Sequence, residues 1–133
     1  MDHALAGHAA GIDGADRQRI ALKAYARVAA HWSLTTSEAA ALADMSESTW
    51  KRARGASFAG QLSVDQMLRL SALIGLYKAL ELYFGGPIAR DWVKLPNQGP
   101  EFDGGRPLDV MVKSGLPKIL SVRRYVDALR GGL

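Results

Sequence analysis

The sequence contains no cysteine, which excludes a disulfide framework and any metal site or nucleophile that depends on a thiolate. The three histidines are widely scattered, which argues against a zinc site. The longest apolar stretch, residues 67–84, is interrupted by charged residues, so no membrane span is predicted. The N-terminus lacks the basic and then apolar layout of a signal peptide. We therefore expect a cytoplasmic protein with no membrane partner.

Recognisable catalytic arrangements are missing as well. No serine is accompanied by a histidine in a plausible triad arrangement, and the carboxylates are spread as ordinary surface charge would be. The glycine pairs at 85–86 and 104–105 lack the strand-then-helix context of a phosphate-binding loop. We therefore expect a protein that is not an enzyme and that uses neither a cofactor nor a metal.

What the chain does have is a globular composition, with 48% apolar and 23% charged residues over 133 positions. Its net charge of +4 permits nucleic-acid binding without arguing strongly for it. No long strand pattern occurs, so we predict an all-α protein with a helix-turn-helix half, a long central apolar helix and a small α-helical C-terminal module. The predicted divisions are a flexible leader (1–15), a helix-turn-helix domain (16–62), and the central helix with the C-terminal domain (63–133).

A first helix is predicted over residues 16–32, because apolar residues recur there at every fourth position. The apolar stripe consists of Ile20, Ala24, Val28 and Trp32. A second stripe at the same spacing is basic and consists of Arg19, Lys23 and Arg27. Like charges four residues apart repel each other, so this stripe is expected in water or against an anion.

Residues 35–55 have the pattern of a helix-turn-helix, in which the second helix can enter a DNA major groove. Thr35 and Glu38 have the spacing of a capping box, and Ser46 suits the cap of the second helix. Asp44 stands at the turn position where glycine is usual, and Gly55 is expected in a left-handed conformation after the second helix. The inward positions are all small or apolar: Ala39, Ala40, Ala43, Met45, Trp50 and Ala53.

The outward face of the second helix is predicted to bind DNA through Ser46, Glu47, Ser48, Lys51 and Arg52. Serines can bind phosphates or bases, Glu47 can accept from cytosine, and the two cations can reach guanine or phosphate. The alternative is a helical pair in an all-α core that makes no contact with DNA.

A long helix is predicted from a capped start at Ser63 to Phe84. Apolar side chains nearly encircle it, among them Leu73, Tyr77 and Leu80, and such a helix has to be covered on most sides. We infer a homodimer in which a second copy supplies part of this cover. The alternative is that the two halves of one chain wrap the helix.

The C-terminal third is predicted to contain a short helix at 88–95 with Trp92, an irregular segment at 96–106, a helix from Pro107 through Lys113, and a final amphipathic helix at 116–130. Together with the helix-turn-helix, this part resembles the Xre/MbcA/ParS antitoxin family over residues 17–133. The similarity is most specific in the run Trp92-Val93-Lys94-Leu95-Pro96-Asn97, Phe102, Gly104 and Pro107-Leu108.

The resemblance implies that the protein is the antitoxin of a RES-domain toxin, a protein similar in fold to ADP-ribosyltransferases that consumes or transfers from NAD. It implies that the C-terminal region covers the NAD pocket of the toxin. It also implies a homodimer within a hetero-oligomeric complex, which represses its own operon by binding operator DNA.

The residues supply a physical mechanism for such inhibition. A basic final helix with a Gly-Gly-Leu tail can enter a cleft built for an anionic dinucleotide, where its cations pair with carboxylates or fill the phosphate region. The candidate toxin contacts are Arg106, Leu108, Lys118, Arg123, Arg124, Arg130 and Leu133. Trp92 and Phe102 are predicted as core of the module. The alternative is that the arginines are merely solvated.

Two other functions remain open at this point. One is a dimeric helix-turn-helix transcriptional repressor without a toxin partner. The other is a helical adaptor that has lost DNA binding.

Overall fold

The computed structural model describes residues 13–131, which form seven α-helices, one short 3-10 helix and no strand. The α-helices are α1 (Gly14–His31), α2 (Thr36–Leu42), α3 (Glu47–Ala53), α4 (Val64–Tyr83), α5 (Gly86–Asp91), α6 (Pro107–Ser114) and α7 (Leu116–Arg130), and the 3-10 helix spans Trp92–Lys94. The predicted all-α class is confirmed. None of the described helices is long and apolar enough to cross a membrane.

The first helix begins earlier than predicted. Asp13 caps it, because its Oδ1 accepts a hydrogen bond from the amide of Asp16 at 2.8 Å, so α1 starts at Gly14. The last residues of the predicted leader therefore belong to α1, whereas residues 1–12 lie outside the described range. Leu133 of the predicted tail also lies outside it.

The buried face of α1 differs from the predicted apolar stripe. Ile20 belongs to the predicted apolar stripe, but 54% of its surface is exposed. Val28 and Trp32 of the stripe are buried, and Leu22 and Tyr25 join them on a face that packs against α4 and the helix-turn-helix. The basic stripe lies on the exposed side of α1, as predicted: Arg19, Lys23 and Arg27.

Much of the central helix α4 is covered by its own chain, and four of its large apolar residues are exposed: Val64, Leu68, Leu82 and Tyr83. Helix α7 packs along it, α1 packs on it as well, and Leu73 and Leu80 are completely buried. Leu73 and Leu80 are therefore core residues that both halves of one chain enclose, and the homodimer stays a prediction. Tyr77 is half-buried: its hydroxyl donates to Glu81 Oε2 at 2.7 Å, and its ring stacks on His31 with centroids 5.3 Å apart.

The C-terminal module is built around a small aromatic cluster. Trp92 meets Phe102 edge-on with ring centroids 5.5 Å apart, and Phe102 meets Tyr125 at 5.6 Å. The prediction that Trp92 and Phe102 are core residues is confirmed. Between them the chain forms a tight loop, closed where the Asn97 carbonyl accepts from the Gly104 amide at 2.9 Å.

The two halves of the chain contact each other directly. Helix α6 packs on α2, and the buried residues of both halves form one hydrophobic cluster. Lys94 donates to the carbonyl of Ser33, and its Nζ lies 3.9 Å from a carboxylate oxygen of Glu38. The C-terminal module is thus placed against the first helix of the helix-turn-helix.

Candidate DNA-binding and partner-binding surfaces

The helix-turn-helix is built by local capping, as the sequence predicts. Thr35 and Glu38 form a reciprocal capping box with distances of 2.9 and 3.0 Å. Asp44 has φ +58°, which gives the left-handed turn between α2 and α3. Ser46 Oγ then caps α3 by accepting from the Thr49 amide at 3.1 Å. The two helices therefore meet at a sharp turn that places α3 on the outside of the chain.

The end of α3 differs from the prediction. Arg54 caps this helix in a right-handed conformation, and the Gly55 amide donates to the Arg52 carbonyl at 3.0 Å. The expected left-handed conformation at Gly55 is therefore wrong. The chain continues in a helical turn whose amides bond to the last carbonyls of α3, so a positive φ at Gly55 is not needed.

Five of the six predicted inward positions of the helix-turn-helix are buried, and Met45 is partly buried. Tyr25 of α1 contacts both helices of the helix-turn-helix. Its hydroxyl donates to the Ala39 carbonyl at 2.8 Å, and its ring meets that of Trp50 edge-on with ring centroids 5.1 Å apart. Burial raises the pKa of the Tyr25 phenol far above its ordinary value, which keeps the hydroxyl protonated as a donor. These contacts hold α2 and α3 against α1.

The predicted DNA-binding residues all lie on the exposed surface of α3. They are Ser46, Glu47, Ser48, Lys51 and Arg52. No carboxylate among residues 13–131 lies within ion-pair distance of Lys51 or Arg52. Arg52 only approaches the Thr49 hydroxyl, at 3.5 Å. Both cations are therefore available to a phosphate or a guanine edge.

A further basic feature lies beside α3. Arg19 and Lys23 of α1, together with Arg54, line a groove of about 700 Å³ that also includes Ile20 and Phe58. Arg19 forms an ion pair with Asp16. Arg54 was missed by the sequence analysis, although it follows Lys51 and Arg52 closely in the run Lys-Arg-Ala-Arg. The groove extends the positive surface from α3 toward α1.

Two of the predicted toxin-binding cations are held by carboxylates of their own module. Arg106 makes a bidentate contact with Asp109, at 2.8 and 2.9 Å. This hydrogen bonding raises the pKa of Arg106 and lowers the pKa of Asp109. Lys118 lies 3.2 Å from Glu101 Oε1, which fastens the irregular segment to α7. These side chains are engaged before any partner binds.

The arginines of α7 fall into two groups. The Arg123 guanidinium lies over Gly75 of α4, where an added Cβ would come within 2.3 Å of its Cζ. It also lies 3.7 Å from Asp127, which Arg130 approaches at 3.6 Å. Arg124 is exposed, and its described polar contact is with the Ser121 hydroxyl at 3.2 Å. Among the predicted arginine contacts of α7, Arg124 is therefore the one without an ion pair within the described residues.

The prediction of Leu108 as a toxin contact is wrong. Only 1% of its surface is exposed, because it lies on the inward face of α6 with Met111. Val112 is 38% exposed on the same helix and was missed. Helical periodicity could not have found it, since Val112 is four residues from Leu108 and positions four apart lie on the same face of a helix. Leu133 lies outside the described residues.

No group of three or more histidine, aspartate or glutamate side chains that could hold a metal ion occurs among the described residues. The described surface presents exposed cations on α3, together with the exposed side chains of Val112 and Arg124 on α6 and α7.

Comparison with known proteins assigns each half of the chain to a domain family. Residues 11–75 match the family model of the antitoxin Xre-like helix-turn-helix domain, and residues 79–132 match that of the antitoxin Xre/MbcA/ParS C-terminal toxin-binding domain. The chain is also similar to the uncharacterized protein y4oB of Sinorhizobium fredii, with 36% identity over 116 residues that cover 84% of each chain. The two matches divide near the end of α4, whereas the sequence analysis placed the boundary before that helix.

Proposed function

Because this chain belongs to the Xre/MbcA/ParS antitoxin family, we propose that it neutralises a RES-domain toxin and represses its own operon. The family gives the chain a helix-turn-helix domain and a toxin-binding domain, which together support an antitoxin role. The RES-type toxin, the operator and the homodimer are our proposals. They rest on the resemblance and on the surfaces described above.

The observation that carries the proposal is that each matched domain keeps an uncovered surface of its own. The outer face of α3 presents Lys51 and Arg52, whereas α6 and α7 present Val112 and Arg124. Neither surface is buried when the two halves pack together. One chain can therefore bind operator DNA and a toxin at separate places.

Inhibition of the toxin follows from the chemistry of α7. A pocket that binds NAD accommodates a pyrophosphate, and a guanidinium is well suited to the carboxylates and polar groups around such a pocket. We propose that Arg124 enters the mouth of the pocket while the apolar surface at Val112 excludes water. The α7 helix then occupies the space that the dinucleotide requires.

Operator binding by a helix-turn-helix commonly uses two copies, because each recognition helix reads one half-site. We place the homodimer contact at the adjoining ends of α4 and α5, where three large apolar residues are exposed: Leu82, Tyr83 and Ile88. Leu73 and Leu80 cannot contribute, since they are buried within the chain.

The test is co-expression with the protein of the neighbouring reading frame, which the proposal expects to be a RES-domain toxin. Deleting residues 107–133 would uncover the buried side of α4, so point variants are preferable. Arg124→Glu should lose growth rescue and the purified complex but still repress an operator reporter. Lys51→Ala with Arg52→Ala should rescue growth but lose repression. Operator repression without any toxin complex would contradict the antitoxin proposal and favour the plain repressor.

A further inference from the structure

Two backbone carbonyls next to α3 are bound by side chains from α4. Gln66 Nε2 donates to the carbonyl of Asp44 at 2.8 Å, and Arg69 Nη1 donates to the carbonyl of Leu42 at 3.4 Å. Leu42 is the last residue of α2, and Asp44 is the left-handed turn residue. Carbonyls at a helix end lack intrahelical partners and carry partial negative charge, which makes a cation a favourable neighbour.

Both side chains from α4 are themselves held in place. Gln66 is the third residue of the capping box at the start of α4, with distances of 2.9 and 3.0 Å to Ser63. Arg69 Nε donates to Asp65 Oδ1 at 2.6 Å, and the side chain of Arg69 is only 13% exposed. The donors are thus oriented by α4 and not by solvent, so the turn before α3 takes its position from α4.

The same guanidinium also contacts the toxin-binding domain. Arg69 Nη2 lies 3.2 Å from the position that a Cβ on Gly115 would occupy. Gly115 has φ +74° and joins α6 to α7. One largely buried arginine therefore touches both the helix-turn-helix turn and the junction of the two helices that present the toxin-binding surface.

We propose that Arg69 and Gln66 are positioning residues for operator binding, and that Arg69 makes the placement of α3 depend on the α6–α7 junction. The inference rests on the operator-binding part of the proposed function. Side chains that read DNA must be held to a fraction of an ångström, so loosening the turn lowers operator affinity without removing a DNA contact. The two binding surfaces are then linked energetically, and such linkage acts in both directions.

The first experiment measures operator affinity at several salt concentrations. Arg69→Met and Gln66→Met should each weaken binding about fivefold to twentyfold while the salt slope stays unchanged, because no phosphate contact is lost. Lys113→Met is the matched control and should stay within about twofold of wild type, because this cation is exposed on α6 and no contact is assigned to it. Thermal unfolding confirms that each variant is folded at the assay temperature.

The second experiment is a double-mutant cycle on the same readout. Gly115→Ala lies in the toxin-binding domain, and its added Cβ would press on the Arg69 guanidinium. It should weaken operator binding about threefold or more in the wild-type background and add little in the Arg69→Met background. A merely local strain at Gly115 would weaken both backgrounds equally or leave operator binding unaffected.

The outcomes separate this inference from the proposed function. Wild-type operator affinity in folded Arg69→Met and Gln66→Met, or additive effects in the cycle, would overturn the inference alone. A salt slope reduced by about one in Arg69→Met would mean that Arg69 contacts a phosphate itself, and this result would also overturn it. If Arg69→Met fails to fold, the operator affinity of Gln66→Met tests whether the side chains of α4 position the turn. Absence of operator binding by the wild-type protein would contradict the operator-binding proposal and this inference together.

Discussion

The cations of α3 and those of the C-terminal module are arranged in opposite ways. Lys51 and Arg52 have no carboxylate partner among the described residues. Most cations predicted to bind toxin are already paired: Arg106 with Asp109, Lys118 with Glu101, and Arg123 and Arg130 with Asp127. The basic residues of this chain therefore differ in whether a carboxylate of the same chain already holds them.

The difference teaches what each surface has to do. Phosphates form a continuous anionic backbone, and cations without a carboxylate partner among the described residues, such as those on α3, are suited to it because their binding releases counterions. A protein partner of the C-terminal module instead has to compete with carboxylates that are already in place. Exposed ion pairs contribute only about 0–1 kcal/mol, so exchange of Arg106 or Arg130 is feasible, whereas half-buried Lys118 is expected to keep its pair.

The largest effect is expected on operator binding by α3. If its cations did not contact DNA, the contrast with the C-terminal module would have no functional meaning. Lys51→Ala together with Arg52→Ala should weaken operator binding by more than about tenfold and reduce the salt slope by about two. Titration of a labelled operator fragment at several salt concentrations measures both quantities. A double variant with an unchanged slope would move the DNA-binding surface to the groove lined by Arg19, Lys23 and Arg54.

The next largest effect is expected on toxin binding by Arg124, the predicted toxin-binding cation of the C-terminal module that is in no ion pair among the described residues. Arg124→Glu should weaken the complex with a RES-domain toxin by about tenfold or more, since an exposed arginine without a carboxylate partner is the best anchor available. Arg130→Glu is the matched control on the same helix and should cost less. Dissociation rates of the purified complexes give the ranking. Equal losses would show that pairing with Asp127 does not decide which arginine binds.

The smallest effect is expected at the bidentate pair. Asp109→Asn releases Arg106, so a toxin that uses Arg106 should bind slightly more tightly, by less than about threefold. The pKa of Asp109 is lowered by the hydrogen bonds from Arg106, so its contribution to stability is present above its ordinary pKa and is lost as the pH falls through the lowered value.

Thermal unfolding across the acidic range checks this contribution. The wild-type protein should lose slightly more stability on acidification than the Asp109→Asn variant does. Parallel curves for the two proteins would mean that the ion pair contributes nothing to folding.

Local signals explain what could be predicted from the sequence. The capping residues Thr35, Ser46 and Ser63 lie within a few positions of the amides that they satisfy. The starts of α2, α3 and α4 could therefore be predicted from the sequence. The bounds of α7 also followed from its apolar period. The small inward residues of the helix-turn-helix were found for the same reason.

Long-range packing explains what was missed. Nothing near Leu73 or Leu80 in the sequence shows that α1 and α7 cover them, so a second copy was invoked. The contacts that Arg69 makes outside α4 join residues 27 positions apart or more, and the pairing of Lys118 with Glu101 depends on the fold of an irregular segment. Burial of Leu108 likewise depends on which face of α6 meets the rest of the chain.

The close approach of Arg123 to Gly75 has a consequence for the history of the family. Any side chain at position 75 would displace the guanidinium that now lies there. The two positions are therefore expected to change together in related chains, with larger residues at 75 accompanying shorter ones at 123. Such paired exchange would leave a coevolutionary trace of the α4–α7 contact.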